Sequence, residues 1–559
     1  MKHLPLGLCQ ILLLTAVLTA CGGGGGGSSD VAPVAPPPPS DPEPQPTRIE
    51  LLDAVPASGA TMIDPGQSSF FFVHPAQSDL TVSIDGDCLE LSSSTVRRSL
   101  VDLSADEFDE LASHYLRCAL AENTSYTINA NGTRSNDARF IATQEFSTGT
   151  EGTPALTVLD QFSLTRATVD DLFRDYVEGA LVTELDLPSA VESVIVSLVV
   201  ELADANWDNL TDPQSLYPVT SQRVSYRSRR PDGAPSDEFT GLITFPVVGL
   251  SPEFTPRDRM IVLNHATGST PGDLADGDAW YIVANLFASR GYLVVAPDNY
   301  GRGGTDAFDE TYLMANRTAD NALHLIKQAL ADEAYDDVYA GTDVSIIGYS
   351  QGGHSAIALW QLIELTENTD ITVRSVYAGG APYNLYQTVR GVLQHVDGRC
   401  NDEAYCRYVD SETTLPFATD RILPGILNYT DTGLALEDVV VGSSLAPDFV
   451  SGFLAAEAAY DTLKSVLQLN SFTRIANAEV LSHSGATVHL YHSKYDRLVP
   501  LNNTEELAAT LAPHVSIDLH ENRCNSDGYE VIFNLTEQVG ALHTLCGLAV
   551  LDDAMADLR

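Results

Sequence analysis

Lysine is nearly missing from this chain, with four in 559 residues: Lys2, Lys327, Lys464 and Lys494. Arginine brings the basic side chains to only 30 against 76 Asp and Glu, a formal charge of −46. A field of that sign repels nucleic acid and anionic lipid surfaces, so polyanionic partners are excluded as a class. No acidic run is long enough to form a charged tail; the charge is spread over folded surface, a composition suited to saline or marine surroundings. Past the first twenty residues no apolar stretch is long enough to span a bilayer. Cysteine is sparse, eight in all, and at no spacing that builds a zinc site.

What is there begins with an export signal. Lys2 and His3 precede the apolar run "ILLLTAVLTA", too short for a secure span. The run ends in "LTAC", which resembles the bacterial lipobox. The resemblance implies cleavage after residue 20 and acylation of Cys21, and hence a membrane attachment made only through that lipid anchor. Residues 21–47, "CGGGGGGSSDVAPVAPPPPSDPEPQPT", read as a tether, flexible where glycine dominates and stiff where proline does. Cys9 leaves with the signal. Six thiols then remain: Cys88, Cys118, Cys400, Cys406, Cys524 and Cys546. An exported chain places them in an oxidising compartment, and of fifteen possible pairings the simplest joins each to its neighbour, closing a modest loop inside one substructure.

Two further regions follow. Residues 48–149 carry short strand-like pieces such as "SSFFFVH", "LTVSID" and "ARFIATQEFST", separated by Gly, Asn, Asp and Ser turns. They read as a small all-β sandwich. "VPASGATMIDPG" and "TSYTINANG" resemble the bacterial immunoglobulin-like modules that precede exported enzymes, which implies a spacer or a weak binding role. Residues 150–559 read as a second domain. After a helical stretch from about Val169 to Leu202, a hairpin leads into alternating strands and helices: "RMIVLNHA", "AWYIVANLFASRG", "YLVVAPD", "TADNALHLIKQALAD", "DVSIIGYS", "GGHSAIALWQLIEL" and "VRSVYAGGAP". Near-continuous apolar strands between amphipathic helices predict an α/β fold with a mainly parallel sheet covered on both faces. About residues 383–480 break the pattern before "TVHLYHSKYD" resumes it, placing a cap insertion over the strand ends.

The chemistry centres on Gly348-Tyr349-Ser350-Gln351-Gly352, a G-x-S-x-G pattern with a strand before it and a helix after it. Such a turn lifts Ser350 Oγ clear of the sheet at a helix N-terminus, where free N–H groups favour developing negative charge. A serine hydroxyl needs a base and the base needs an orienting carboxylate, in the chain order acid then histidine. Asp496, in "YHSKYDRLVP", follows an apolar strand and is the candidate acid; Asp448 and Asp461 fall in the cap. His543, in "GALHTLCG", is the candidate base, placed just ahead of the terminal helix; His520, at the end of the last strand, is its rival. His354 reads as a packing neighbour, and the alternation of His483, His489 and His492 around a strand suits strand faces rather than metal ligation. An oxyanion hole would combine the backbone N–H of Gln351 with that of Thr267 or Ala266 in "NHATG". Asp273, Asp276 and Asp278 in "PGDLADGDAW" lack a full calcium ligand set and read instead as helix caps.

These stretches, with "YRSRRPDGAP…FTGLITFP", "GYLVVAPDNYGRGGTDAF" and "YLMANRTADNALHLIKQAL", resemble the secretory lipase and esterase branch of the α/β-hydrolases from about Arg223 to the C-terminus. The resemblance implies an α/β-hydrolase fold with a helical cap and a triad of Ser350, Asp496 and His543. It implies cleavage of carboxylic esters, with a small-molecule, lipid or polymer ester as substrate and no metal or organic cofactor. An exported serine peptidase of the same fold, and a surface binding module without catalysis, are the competing readings.

Overall fold

The computed structural model describes residues 46–48, 51, 53–63, 65, 69–76, 80–86, 88–96, 110–150, 155–185, 215–250, 254–366, 370–400, 403–406, 409, 414–472, 481–525 and 539–558. The expected signal, the tether and Cys21 lie outside them, apart from the tether's last two residues. Residues 46–559 form one compact unit.

The N-terminal part is all-β. One sheet is built from Thr47–Arg48, Ala60–Ile63, Leu80–Gly86, Ser125–Arg134 and Arg139–Thr148, the other from Asp53–Val55, Ser69–Ala76, Cys88–Val96 and Glu110–Cys118. Alternation drives the pairing: every second residue from Tyr126 to Gly132 is buried. Phe70, Phe72 and Leu116 from one sheet share a core with Tyr126, Ile128 and Phe146 from the other. Cys88 and Cys118 are cross-strand partners and are bridged.

The larger part is built on a nine-stranded sheet: β1 Thr157–Leu164, β2 Val219–Arg229, β3 Pro235–Pro246, β4 Arg257–Asn264, β5 Val294–Pro297, β6 Tyr339–Tyr349, β7 Thr372–Gly379, β8 Thr487–Tyr491 and β9 Ser516–Leu519. Their order is β1-β2-β3-β5-β4-β6-β7-β8-β9. β1, β2, β3 and β5 pair antiparallel in turn, and β5 through β9 pair parallel. This order and the crossover helices are those of the α/β-hydrolase fold. The apolar strands feed two cores: Ile261 and Leu263 face one side, Met260 and Val262 the other. Helices α1 Arg166–Leu185, α2 Ala279–Ser289 and α6 Val539–Asp557 cover the first side; α3 Ala315–Leu330, α4 Gln351–Leu365 and α5 Asn502–Leu511 cover the second. β1 is absent from the sequence reading because it is an edge strand with almost every residue exposed, which removes the alternation that marks a strand. It makes the serine-bearing strand the sixth of the sheet rather than the fifth. Of the helix expected over about 169–202, Arg166–Leu185 is described and residues 186–202 lie outside the described set.

Between β7 and β8 the chain makes a helical cap with its own apolar cluster, including Leu385, Val389, Leu423, Phe449, Phe453 and Leu463, into which Tyr312 and Leu313 of the body insert. Cys400 and Cys406 are bridged within it.

The all-β part is docked on α3 rather than merely preceding the larger domain. Arg317 of α3 donates to Asp53 at 2.7 Å, both side chains being about nine-tenths buried, and its guanidinium lies over the Phe71 ring. Arg229, paired with Asp320, lies over Phe70. Removing one member of such a pair leaves a buried charge unmatched. Asp53→Ala is therefore expected to cost roughly 3–5 kcal/mol in chemical denaturation, with the midpoint shifted and the cooperativity kept.

Candidate active site

The site starts from glycine. A Cβ on Gly348 would lie 2.0 Å from the Gly352 carbonyl oxygen, and one on Gly352 would lie 2.0 Å from that of Asn264. The turn from β6 to α4 is thus so tight that side chains at either position collide with backbone. Ser350 pays for the sharpness with a left-handed backbone, φ 57° and ψ −124°, fixed by its N–H donating to the Gly379 carbonyl at 2.9 Å. The same contact of Gly352 seats the elbow against Asn264 and His265, at the end of β4. Ser350 sits at the N-cap of α4, where the Gln351 N–H at the first helical position has no intrahelical acceptor.

Asp496 and His543 come together. His543 Nδ1 and Asp496 Oδ2 are 2.6 Å apart, and the carboxylate is fully buried. Asp496 Oδ1 accepts from the Leu498 and Val499 N–H groups, both at 2.9 Å, which locks the turn after β8. Burial alone would raise this carboxyl; the neighbouring His543, with hydrogen bonds from His492 and His543, overrides it and holds the group below the usual carboxylate range. With Nδ1 committed, His543 keeps Nε2 buried and without a partner among the described residues. Its ring lies 5.1 Å from that of Tyr349, the residue before the serine.

His543 is inside α6, one turn from its start at Val539, and not ahead of the helix as expected. "VGALHTLCG" has no strong stop or cap before the histidine, so the helix starts earlier. The Cys524–Cys546 bridge fastens that helix to the loop after β9.

The rival histidines are engaged elsewhere. His520 faces His489 and Asp518 with Nε2 and Asp553 with Nδ1. His354 donates to the Asn470 carbonyl at 2.9 Å and packs on Phe472. His483 is exposed. His492, passed over in the sequence, is buried beside Asp496: its Nε2 contacts the Val499 carbonyl at 2.9 Å and Asp496 Oδ2 at 3.4 Å, and its Nδ1 bonds Thr504 Oγ1. With both nitrogens occupied it can position the acid but not serve the serine. No spacing rule could have found it, because its partner depends on how the loop folds back.

On the oxyanion side, Thr267 Oγ1 bonds the buried Tyr312 hydroxyl at 2.7 Å, fixing the loop after β4. His265 braces the same loop through its Nε2, which accepts from the Asn299 N–H at 3.4 Å. The Gln351 side chain donates to Glu310, whose other oxygen pairs with Arg302 at 3.1 Å; this clamp on the elbow was also unforeseen. Asp278 caps α2 through the Trp280 and Tyr281 N–H groups, and Asp273 pairs with Arg223. The cap approaches the site where Thr414 Oγ1 donates to the Arg497 carbonyl, one residue past Asp496.

Burial of His354 makes it an acid-sensitive point. Loss of hydration pushes its pKa down to about 4, and the same cause lowers His324 to about 4. The free value is about 6.5. Between the two the unfolded chain takes up a proton that the folded chain refuses, so stability is full above about pH 6.5 and falls as pH drops toward 4. Each histidine contributes roughly 3 kcal/mol to that loss. His354→Gln is expected to flatten the stability–pH curve in this window, measured by urea unfolding at a series of pH values.

Residues 261–523 match the model of the alpha/beta hydrolase family. Among solved structures, a hydrolase from Legionella pneumophila aligns with 70% of this chain and 97% of its own at 16% identity and a TM-score of 0.48. The rice cell wall degrading esterase LipA from Xanthomonas oryzae aligns with 72% of this chain and 99% of its own at 18% identity and a TM-score of 0.46. An acylaminoacyl peptidase from Pyrococcus horikoshii aligns with 59% of this chain and 46% of its own at 12% identity and a TM-score of 0.31. No curated protein matches at a significant level.

Proposed function

We propose that this α/β-hydrolase domain cleaves carboxylic esters through Ser350, His543 and Asp496 by way of an acyl-enzyme. The observation that carries the reading is the pairing of Asp496 with His543 Nδ1 at 2.6 Å, which leaves Nε2 as the one nitrogen able to take a proton, on a ring 5.1 Å from that of Tyr349, next to the Ser350 held at positive φ. Ser350 Oγ attacks the ester carbonyl carbon and its proton passes to His543 Nε2. The oxyanion is held by the Gln351 N–H and by the N–H of Thr267 or Ala266. Collapse breaks the ester bond, and His543 returns the proton to the leaving alcohol. Water then repeats the sequence on the acyl-enzyme, releasing the acid and restoring Ser350. Asp496, ionised throughout, keeps His543 in the needed tautomer and stabilises it when protonated.

The cap and the 312–313 segment inserted into it are placed to set which acyl chains enter. The test is hydrolysis of a graded series, from acetate to long-chain esters and triglyceride, beside aminoacyl amides. Serine-dependent turnover of esters with amides left intact supports the reading. Amide cleavage that outpaces ester cleavage would replace it with the peptidase reading, and turnover unchanged in Ser350→Ala would remove it. The all-β part is proposed as an immunoglobulin-like module that holds the domain. The place of action is proposed as the bacterial cell surface, with Cys21 acylated; Cys21→Ser is then expected to release the protein from the membrane fraction, and retention would count against the anchor.

A further inference from the structure

Outside the serine site, two histidines and a carboxylate converge on one edge of the sheet. β8 and β9 are parallel neighbours with His489 opposite Asp518, and Asp518 and His520, two residues apart, project to the same face. The His520 N–H donates to the Leu490 carbonyl at 2.9 Å, so its backbone is held in line with the strand. His489 Nδ1 and His520 Nε2 are 3.1 Å apart. Asp518 Oδ2 lies 3.7 Å from the first and 3.4 Å from the second.

Those three separations describe a triangle that a single small cation can span. Ligand atoms about 2.0–2.1 Å from a tetrahedral zinc ion stand about 3.3 Å from one another, and the observed edges bracket that length. An octahedral ion at the same bond length brings neighbouring ligands to about 2.9 Å, shorter than every edge here. The donor set is imidazole and carboxylate, which suits zinc. Both rings are fixed before any ion arrives: His489 is stacked on Tyr377 with centroids 4.5 Å apart and planes 5° from parallel, and His520 on Tyr491 at 4.4 Å and 4°. Behind His520, the nitrogen facing away from the triangle lies 3.5 Å from Asp553 Oδ2. A carboxylate in that position selects the tautomer that leaves Nε2 free to ligate. Arg523 holds Asp553 in turn at 2.8 Å.

We propose that His489, Asp518 and His520 form a zinc site that clamps β8 to β9, with the fourth position open to water on the exposed side of Asp518. The ion lies outside the serine chemistry and serves the strand that leads into the Asp496 turn. This inference is independent of the esterase reading.

The experiment uses the full chain stripped with a chelator and titrated with zinc by calorimetry, with bound metal counted by mass spectrometry after dialysis. One zinc per chain is expected, with a higher Tm in its presence. Asp518→Asn, an exposed and conservative change, and His520→Asn are each expected to weaken zinc at least about tenfold, while His483→Asn, an exposed histidine elsewhere, leaves it unchanged. Wild type that holds no stoichiometric zinc would overturn the proposal. So would Asp518→Asn and His520→Asn proteins that bind as wild type does.

Discussion

Ser350→Ala is expected to lower kcat for ester hydrolysis on the order of 10⁵-fold with KM little changed, because the variant keeps the pocket and the oxyanion donors but has no atom to form the acyl-enzyme. The fold should not suffer. Alanine is smaller than serine, and the backbone bond from residue 350 to Gly379 is retained. What remains is the catalysis that binding and an oxyanion hole give water unaided. Steady-state kinetics with a short-chain chromogenic ester measures the loss, and a matching far-UV spectrum and Tm show that it is chemical.

Asp496→Asn is expected to cost about 10⁴-fold in kcat while leaving the turn intact. The amide oxygen can still accept from Leu498 and Val499, as Oδ1 does now. The other end changes from acceptor to donor. Facing an amide N–H, His543 must present an unprotonated Nδ1 and carry its hydrogen on Nε2, where it cannot take the serine proton. The carboxylate that would offset the charge of protonated His543 is gone as well. The loss should be recovered in part at high pH, where the serine ionises more readily without help. A rate unchanged in Asp496→Asn would mean that another carboxylate orients the base.

Local signals made the α/β-hydrolase architecture legible. The alternation of apolar strands with amphipathic helices gave the parallel sheet because Met260 to Leu263 are buried on both faces, a pattern that needs no knowledge of neighbours. The glycines at 348 and 352 carried the elbow because their absence of a side chain is itself the steric requirement. Asp496 and His543 could be proposed from order along the chain, though only the folded structure brings them within 2.6 Å. Other features were out of reach for one physical reason: they depend on how the chain folds back, within a single loop or between distant segments. His492 reaches Asp496 only when the loop after β8 closes. Gln351 meets Glu310, and Arg317 meets Asp53, 264 residues away. His489 and His520 look unrelated along the chain, since alternation within one strand says nothing about the strand beside it. The edge strand β1 escaped for the opposite reason, having no buried face to print a period.

The most direct measurement of the central claim is covalent capture of the nucleophile. An alkyl organophosphonate offers a phosphorus centre that an activated serine attacks, expelling the leaving group and leaving a stable phosphonyl ester. Intact-mass analysis of wild type should show a single addition, and peptide mapping should place it on Ser350. The Ser350→Ala protein should show none, and Asp496→Asn should react far more slowly. An adduct on another residue, or a wild-type protein that stays unmodified while folded, would contradict the account.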